Sequence, residues 1–176
     1  MRITGGSLRG RQVKVGAGLI RPAMDRMRES VFAALGDIAG LSFLDIFSGT
    51  GIIALEAASR GARYIEAVEM DPLKRKTLLS NAEISPVRIN CRFMPAELYV
   101  KRAKKAFDLI FCDPPFPYRH KWELIQSIAS SPLMVPGSRL LLHHPKEDSC
   151  DKPPAGLALD ASREYGRSLV NFYSFY

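Results

Sequence analysis

Asp113, Pro114, Pro115 and Phe116 stand in that order at the end of the run Phe107-Asp108-Leu109-Ile110-Phe111-Cys112. The run is short, bounded and rich in β-formers, which predicts a buried strand. Each proline fixes φ at about −65° and lacks an N–H, and the residue before each is pushed out of the helical region. The expected result is a stiff, extended corner at the strand's C-terminal end. It presents a carboxylate, the Pro114 carbonyl and a flat ring, a set suited to gripping a planar group that carries an NH₂. The lone pair of an exocyclic base amine is delocalised into its ring. Two acceptors on its two N–H bonds, Asp113 and the Pro114 carbonyl, favour a more pyramidal nitrogen, while Phe116 or Tyr118 stacks on the base. Asp-Pro alone reads as a turn. The four residues together point to chemistry provided a methyl-donor site exists upstream.

Such a site is legible at Asp45-Ile46-Phe47-Ser48-Gly49-Thr50-Gly51, which ends one apolar run and opens a helix. Glycines at this corner let backbone approach a ligand and turn tightly. In an open α/β sheet, ligands sit outside the C-terminal strand edges. Glu69 ends the next strand, where its carboxylate can hold both hydroxyls of a ribose. Gly49-x-Gly51-x-x-Ala54 also fits the dinucleotide fingerprint, with Glu69 at roughly the 20-residue spacing expected. Two features favour a methyl donor over a nicotinamide cofactor. Asp45 lies inside the strand end, where it suits the cationic amino-acid part of S-adenosylmethionine rather than a pyrophosphate, and the Asp113 corner has no use in hydride transfer. The candidate donor contacts are Asp45, Phe47, Gly49, Gly51, Glu69, Met70, Met94 and Ala96, with S-adenosylhomocysteine as product.

Elements must hold these corners in place. Residues 2–15 read as a small hairpin around Gly5, Gly6 and Gly10, followed by a glycine-rich linker and Arg21-Pro22. Met24, Met27, Val31, Ala34 and Leu35 recur at helical spacing over 25–35, with Gly36 as the stop, and Arg26, Arg28 and Glu29 fall elsewhere on that helix. Strands are predicted at 42–47, 63–69, 87–93, 107–112 and 139–143. Helices are predicted at 52–59, from Pro72 to 81, over 95–104 and over 120–130, where Trp122, Leu124, Ile125 and Ile128 are core candidates. The tail 156–176 reads as two strands turning at Tyr165-Gly166-Arg167, with its aromatic residues packing the sheet. This alternation implies an α/β fold with a mostly parallel sheet covered on both faces and an antiparallel hairpin at its end.

At 176 residues the chain is one domain of ordinary size, and 47% hydrophobic with 24% charged residues fits a globular protein. No apolar run approaches the roughly 20 residues of a membrane span, and no signal peptide is expected. Cys91, Cys112 and Cys150 show neither a disulfide framework nor metal spacing, which fits a reducing cytoplasm and no metal. The net charge is +7. Residues 1–28 hold Arg2, Arg9, Arg11, Lys14, Arg21, Arg26 and Arg28 against Asp25 alone, while the remaining 18 basic residues nearly balance 17 acids. Six arginines in so short a stretch suit phosphate, whose geometry matches the guanidinium fork. Arg2, Arg9, Arg11, Arg21, Arg26 and Arg28, with Tyr118, are the candidate RNA contacts. The expected organisation is a basic extension over 1–38 and a catalytic core over 39–176.

The chain resembles the RsmD family of bacterial 16S ribosomal RNA guanine-N2 methyltransferases over essentially its whole length. The resemblance is carried by Arg2-Ile3-x-Gly5-Gly6-x-x-Arg9-Gly10-Arg11, Arg21-Pro22-x-x-Asp25-Arg26-x-Arg28-Glu29, Asp45-x-Phe47-Ser48-Gly49-x-Gly51, Glu56-Ala57-x-Ser59-Arg60-Gly61-Ala62 and Asp113-Pro114-Pro115-Phe116. The first two motifs are the specific ones. The resemblance implies a class I methyltransferase fold with a seven-stranded sheet and S-adenosylmethionine as donor. It also implies a target guanine in the small-subunit RNA, position 966 in standard rRNA numbering, with the substrate a 30S assembly intermediate and the enzyme a monomer. Two positions depart from the family. Met94-Pro95-Ala96 replaces an Asp-Ala pair, so apolar contact takes over from a hydrogen bond to the donor adenine. Ala23-Met24 replaces hydroxyl residues, which leaves helix capping to Asp25.

Two other functions fit parts of the pattern. A DNA adenine-N6 methyltransferase would use the same corner but needs a larger recognition segment than the short insertions here allow. A non-catalytic RNA-binding assembly factor conflicts with the intact Asp45, Gly49, Gly51, Glu69 and Asp113. Among the histidines, His120 lies near the corner and could touch substrate, whereas His143 and His144 adjoin a strand end and read as structural.

Overall fold

The computed structural model describes residues 1–16, 22–148 and 152–176. Seven strands form one sheet: β1 (Ser42–Ile46), β2 (Tyr64–Val68), β3 (Ile89–Arg92), β4 (Leu109–Cys112), β5 (Arg139–Pro145), β6 (Leu157–Tyr165) and β7 (Ser168–Phe175). Their spatial order is β3-β2-β1-β4-β5-β7-β6. The first five are parallel neighbours, and β7 runs antiparallel to both β5 and β6. The helices are α1 (Pro22–Leu35), α2 (Ile52–Ser59), α3 (Arg75–Ala82), α4 (Ala96–Lys101) and α5 (Lys121–Ala129). The expected α/β architecture is therefore present. The first four strands are trimmed relative to the expected runs, whereas β5 extends past the expected 143 because β7 pairs with it as far as Pro145 opposite Ser168. Pro72–Lys74 forms a 3₁₀ turn ahead of α3, and the Asp71 carboxylate caps it by accepting from Leu73 N at 2.9 Å.

The central strands are buried on both faces, as the run Leu109–Cys112 illustrates. One apolar cluster lies on each side of the sheet. The first joins Phe43, Ile65 and Phe111 to Leu55 of α2, to Val31 and Leu35 of α1, and to Ile3 and Val13 of the N-terminal arm. The second joins Leu44, Ile110 and Leu142 to Val100 of α4 and to Leu124 and Ile128 of α5. No helix among the described residues is long and apolar enough to cross a membrane.

The N-terminal hairpin is reduced to one bridge, Arg2 opposite Gln12. Ile3 N, Gly10 N and Val13 N still donate across it, to the carbonyls of Arg11, Ile3 and Met1, and α2 anchors it from outside. Ser59 O accepts from Ser7 N at 2.7 Å, Ser59 Oγ accepts from Leu8 N at 2.8 Å, and Glu56 Oε1 accepts from Thr4 N at 2.8 Å. Gly6 sits at φ 77° with the Ser59 carbonyl oxygen only 1.9 Å from where a Cβ would stand, so no other residue lets the arm approach.

Arg28 departs from the expectation of an RNA-facing surface, because it is 1% exposed. Its Nη2 donates to Asp25 Oδ1 at 2.5 Å and to the Arg2 carbonyl at 2.9 Å, and its Nε donates to Glu56 Oε1 at 3.3 Å. A buried guanidinium with these partners is spent inside the fold and does not dock phosphate. Asp25 likewise lies inside the helix and pairs with Arg28 rather than capping. Arg2, Arg9, Arg11 and Arg26 are exposed as expected, and Arg21 and Cys150 lie outside the described residues.

Candidate active site

The strand order reverses beside β1, whose neighbours β2 and β4 lead the chain in opposite directions across the sheet. The crevice beyond the C-terminal strand ends at such a point is where α/β sheets bind ligands. Both predicted corners open there. Asp113 N donates to the Ile46 carbonyl at 3.1 Å, which ties the Asp113 corner to the end of β1.

After β1 the chain turns at Phe47, the non-glycine residue with positive φ (64°) among the described residues. Such a conformation is strained for a bulky side chain and persists where the surroundings enforce it. Gly49 and Gly51 follow at φ 59° and 83°, and Gly51 caps α2 through backbone alone. Gly49 N donates to Glu69 Oε2 at 2.7 Å, and Asp71 N donates to Glu69 Oε1 at 2.8 Å. Glu69 thus holds both loops at the rim while each oxygen retains a further lone pair. Asn81 Nδ2 donates to the Thr50 carbonyl at 2.8 Å and to the Lys14 carbonyl at 2.9 Å, so α3 clips the loop and the arm together.

Asp45 is 1% exposed. Its Oδ2 accepts from Ser48 Oγ at 2.6 Å and from Ala54 N at 3.1 Å, whereas Oδ1 is buried with no hydrogen-bond partner. Burial pushes its pKa up to about 7. The negative charges of Asp113 and Glu69 act in the same direction, against the hydrogen bond from Ser48 and the one from Ala54. A buried carboxylate oxygen without a donor beside two further carboxylates is an environment that favours a cation. Of the other expected donor contacts, Met70 is 61% exposed, Met94 packs at the edge of the second apolar cluster, and Ala96 is buried at the start of α4.

At the facing corner, Pro114 is buried and Pro115 is exposed. Phe116 is 41% exposed. Asp113 Oδ1 accepts from His143 Nδ1 at 2.8 Å, with the Asp113 side chain 27% exposed. Tyr118 turns inward: its ring lies 5.3 Å from that of Phe47 and its hydroxyl donates to Glu97. A cavity of about 470 Å³ adjoins the corner, lined by Phe116, Tyr118, Arg119, Lys121, Trp122 and Asp148. His120 is on the exposed side of this loop.

Two residues of this site escape sequence reasoning. Lys121 is 3% exposed and donates to the Phe116 carbonyl at 2.9 Å and to the Tyr118 carbonyl, and it pairs with Asp148 at 2.6 Å. It locks the loop that carries Phe116. A lysine at the start of a helix gives no sign of burial. His143 reads from sequence as merely structural, since the register that sets β5 beside β4 is not written in either strand alone.

The sheet order, the glycine loop and the acidic strand ends define a methyltransferase of the class I fold. Magnesium protoporphyrin IX methyltransferase from Synechocystis PCC 6803, solved with bound S-adenosylmethionine, shares that fold at 15% identity, with a TM-score of 0.67 over 92% of this chain and 87% of its own. The chain belongs to the family described as conserved hypothetical protein 95, whose model matches residues 1–174, and this is the RsmD family. Ribosomal RNA small subunit methyltransferase D of Escherichia coli (strain K12) is 29% identical over 98% of this chain and 89% of its own length. The solved structure of yhhF from Escherichia coli superposes with a TM-score of 0.90 at 28% identity, covering 99% of this chain and 97% of that one.

Proposed function

We propose that this chain transfers a methyl group from S-adenosylmethionine to the exocyclic N2 of a guanine in 16S ribosomal RNA, guanine 966 in standard rRNA numbering, during 30S assembly in the cytoplasm. The observation that carries the proposal is the juxtaposition of two corners across the β1–β4 switch point: a buried carboxylate with an unpartnered oxygen at Asp45, and a partly exposed carboxylate beside an exposed ring at Asp113 and Phe116. The family's relatives named for ribosomal RNA methylation supply the substrate class.

The residues fit the donor. Asp45 Oδ1 is the acceptor for its ammonium group, Glu69 for its ribose hydroxyls, the Gly49–Gly51 turn gives backbone clearance, and Met70, Met94 and Ala96 offer apolar contact to adenine. When bound, S-adenosylmethionine supplies a sulfonium-activated methyl group, so the protein's contribution is positioning. Asp113 Oδ2 and the Pro114 carbonyl accept the two N–H bonds of the guanine amine and localise its lone pair. Phe116 stacks on the unstacked base. The amine proton stays hydrogen-bonded to Asp113 until it leaves to water. The basic arm over 1–38 docks RNA phosphates, and 39–176 carries the chemistry.

Tritiated methyl transfer to small subunits, followed by nucleoside analysis, tests the proposal. N2-methylguanosine is expected. N6-methyladenine in a DNA substrate, or no transfer at all, overturns it.

A further inference from the structure

We propose that His143 is the positioning residue of the amine clamp, fixing Asp113 and Phe116 together and committing one Asp113 oxygen to the protein so that the other faces substrate. This inference rests on the function proposed above. His143 lies on β5, next to β4, and is 3% exposed. Both ring nitrogens are engaged. Nδ1 donates to Asp113 Oδ1 at 2.8 Å, and Nε2 shares a 2.8 Å hydrogen bond with Ser168 Oγ. The Ser168 hydroxyl also faces the Tyr165 carbonyl at 3.1 Å, in the turn between β6 and β7, so its one proton is shared between that carbonyl and Nε2. An imidazole held at both nitrogens cannot rotate without losing one bond, so its plane is fixed by the antiparallel hairpin. That plane sets the orientation of the carboxylate. The Phe116 ring meets the same imidazole edge-on, with centroids 5.5 Å apart and planes at 67°. One buried side chain thus touches both residues assigned to the amine.

His144 makes the contrast. As the next residue on the strand it points to the opposite face, where it packs against Trp122 at 5.4 Å and its Nδ1 donates to the Pro145 carbonyl at 2.8 Å. It touches neither Asp113 nor Phe116 through any of these contacts.

The test uses the full-length protein pre-bound to unmethylated small subunits, in single-turnover methyl transfer. His143→Leu is expected to slow the chemical step about 10–100-fold, the scale of a misplaced reacting group. Affinity for S-adenosylhomocysteine and for the subunit should stay within about twofold of wild type. His143→Asn, whose amide nitrogen stands about where Nδ1 stood, should recover most of the rate. In an Asp113→Ala background, His143→Leu should cost much less than it does in the wild type, because only its contact with the Phe116 ring is left to lose. Ser168→Ala leaves the imidazole in place but frees Nε2, and it carries the same non-additivity test if His143→Leu fails to fold. A wild-type rate in both His143→Leu and Ser168→Ala, or additive losses in the double variants, overturns the inference while Asp113→Ala remains slow. A wild-type rate in Asp113→Ala itself overturns the amine clamp of the proposed function.

Discussion

The charge on Asp45 is the residue-scale property with the widest consequence. Its pKa, raised to about 7 chiefly by burial, lies above the ordinary value of an unfolded aspartate, 3.8. Between those two values the folded chain holds a proton that the unfolded chain has lost. Stability therefore falls as pH rises through that window and levels off above about 7. Asp45→Asn removes the titration while keeping an oxygen for Ser48 and Ala54. Urea denaturation should show this variant gaining on wild type by up to about 1.4 kcal/mol per pH unit between about pH 4 and pH 7, with a constant gap above. A gap that stays level across the window would contradict the assignment. Donor affinity should run the opposite way. A cation on Oδ1 requires the ionised carboxylate, so calorimetric binding of S-adenosylhomocysteine should strengthen as pH rises toward about 7 and then plateau. Asp45→Asn should bind weakly at every pH.

Among the elements, the arm and α2 are one unit held by a buried charge cluster. Glu56 is 0% exposed and meets Arg28 and Arg60, with Arg28 reaching back to Asp25 and to the arm's own backbone. Removing one member of such a cluster leaves an uncompensated buried charge, which costs about 3–5 kcal/mol. Glu56→Ala should lower the urea midpoint accordingly, whereas Arg9→Ala on the exposed arm should change stability by less than about 0.5 kcal/mol. Similar losses from both would refute the anchoring role. The same cluster shows where sequence reading succeeds and stops. Helix and strand order follow from apolar period and turn residues, and the location of Asp45, Glu69 and Asp113 at strand ends is legible because strand ends announce themselves. Arg28 is misplaced because a basic composition counts charges without saying which are buried. Its spacing, four residues after Met24 and three before Val31, puts it on the stripe that faces the core, against the expectation that it falls elsewhere on the helix. The partners that settle the matter, Glu56 and the Arg2 carbonyl, come from other elements. His143 escapes for the same reason, since it meets Asp113 only through the pairing of β4 with β5.

Across the whole molecule the charge is sorted. Three carboxylates, Asp45, Glu69 and Asp113, converge on the crevice, while exposed Arg2, Arg9, Arg11 and Arg26 sit on the arm and α1. An acidic floor attracts a cationic donor and repels phosphate, so under the proposed function RNA would be held by the arm and would reach the crevice through an uncharged base. Binding of RNA and binding of donor should therefore respond to different substitutions. Every phosphate left without its arginine reduces the salt slope of RNA binding by about 0.7–0.9. Replacing Arg9, Arg11 and Arg26 together by glutamine should lower the slope by about 2–3 and weaken RNA binding at low salt, with calorimetric affinity for S-adenosylhomocysteine unchanged. Arg28→Gln is the internal contrast: its guanidinium is spent inside the fold, so the slope should hold while stability drops. Filter binding across a salt series measures these slopes on one substrate, with urea denaturation reporting the stability of Arg28→Gln. A slope that ignores the triple substitution would remove the arm's exposed arginines from the RNA-docking role, and one that responds to Arg28→Gln in still-folded protein would overturn the confinement of Arg28 to the interior.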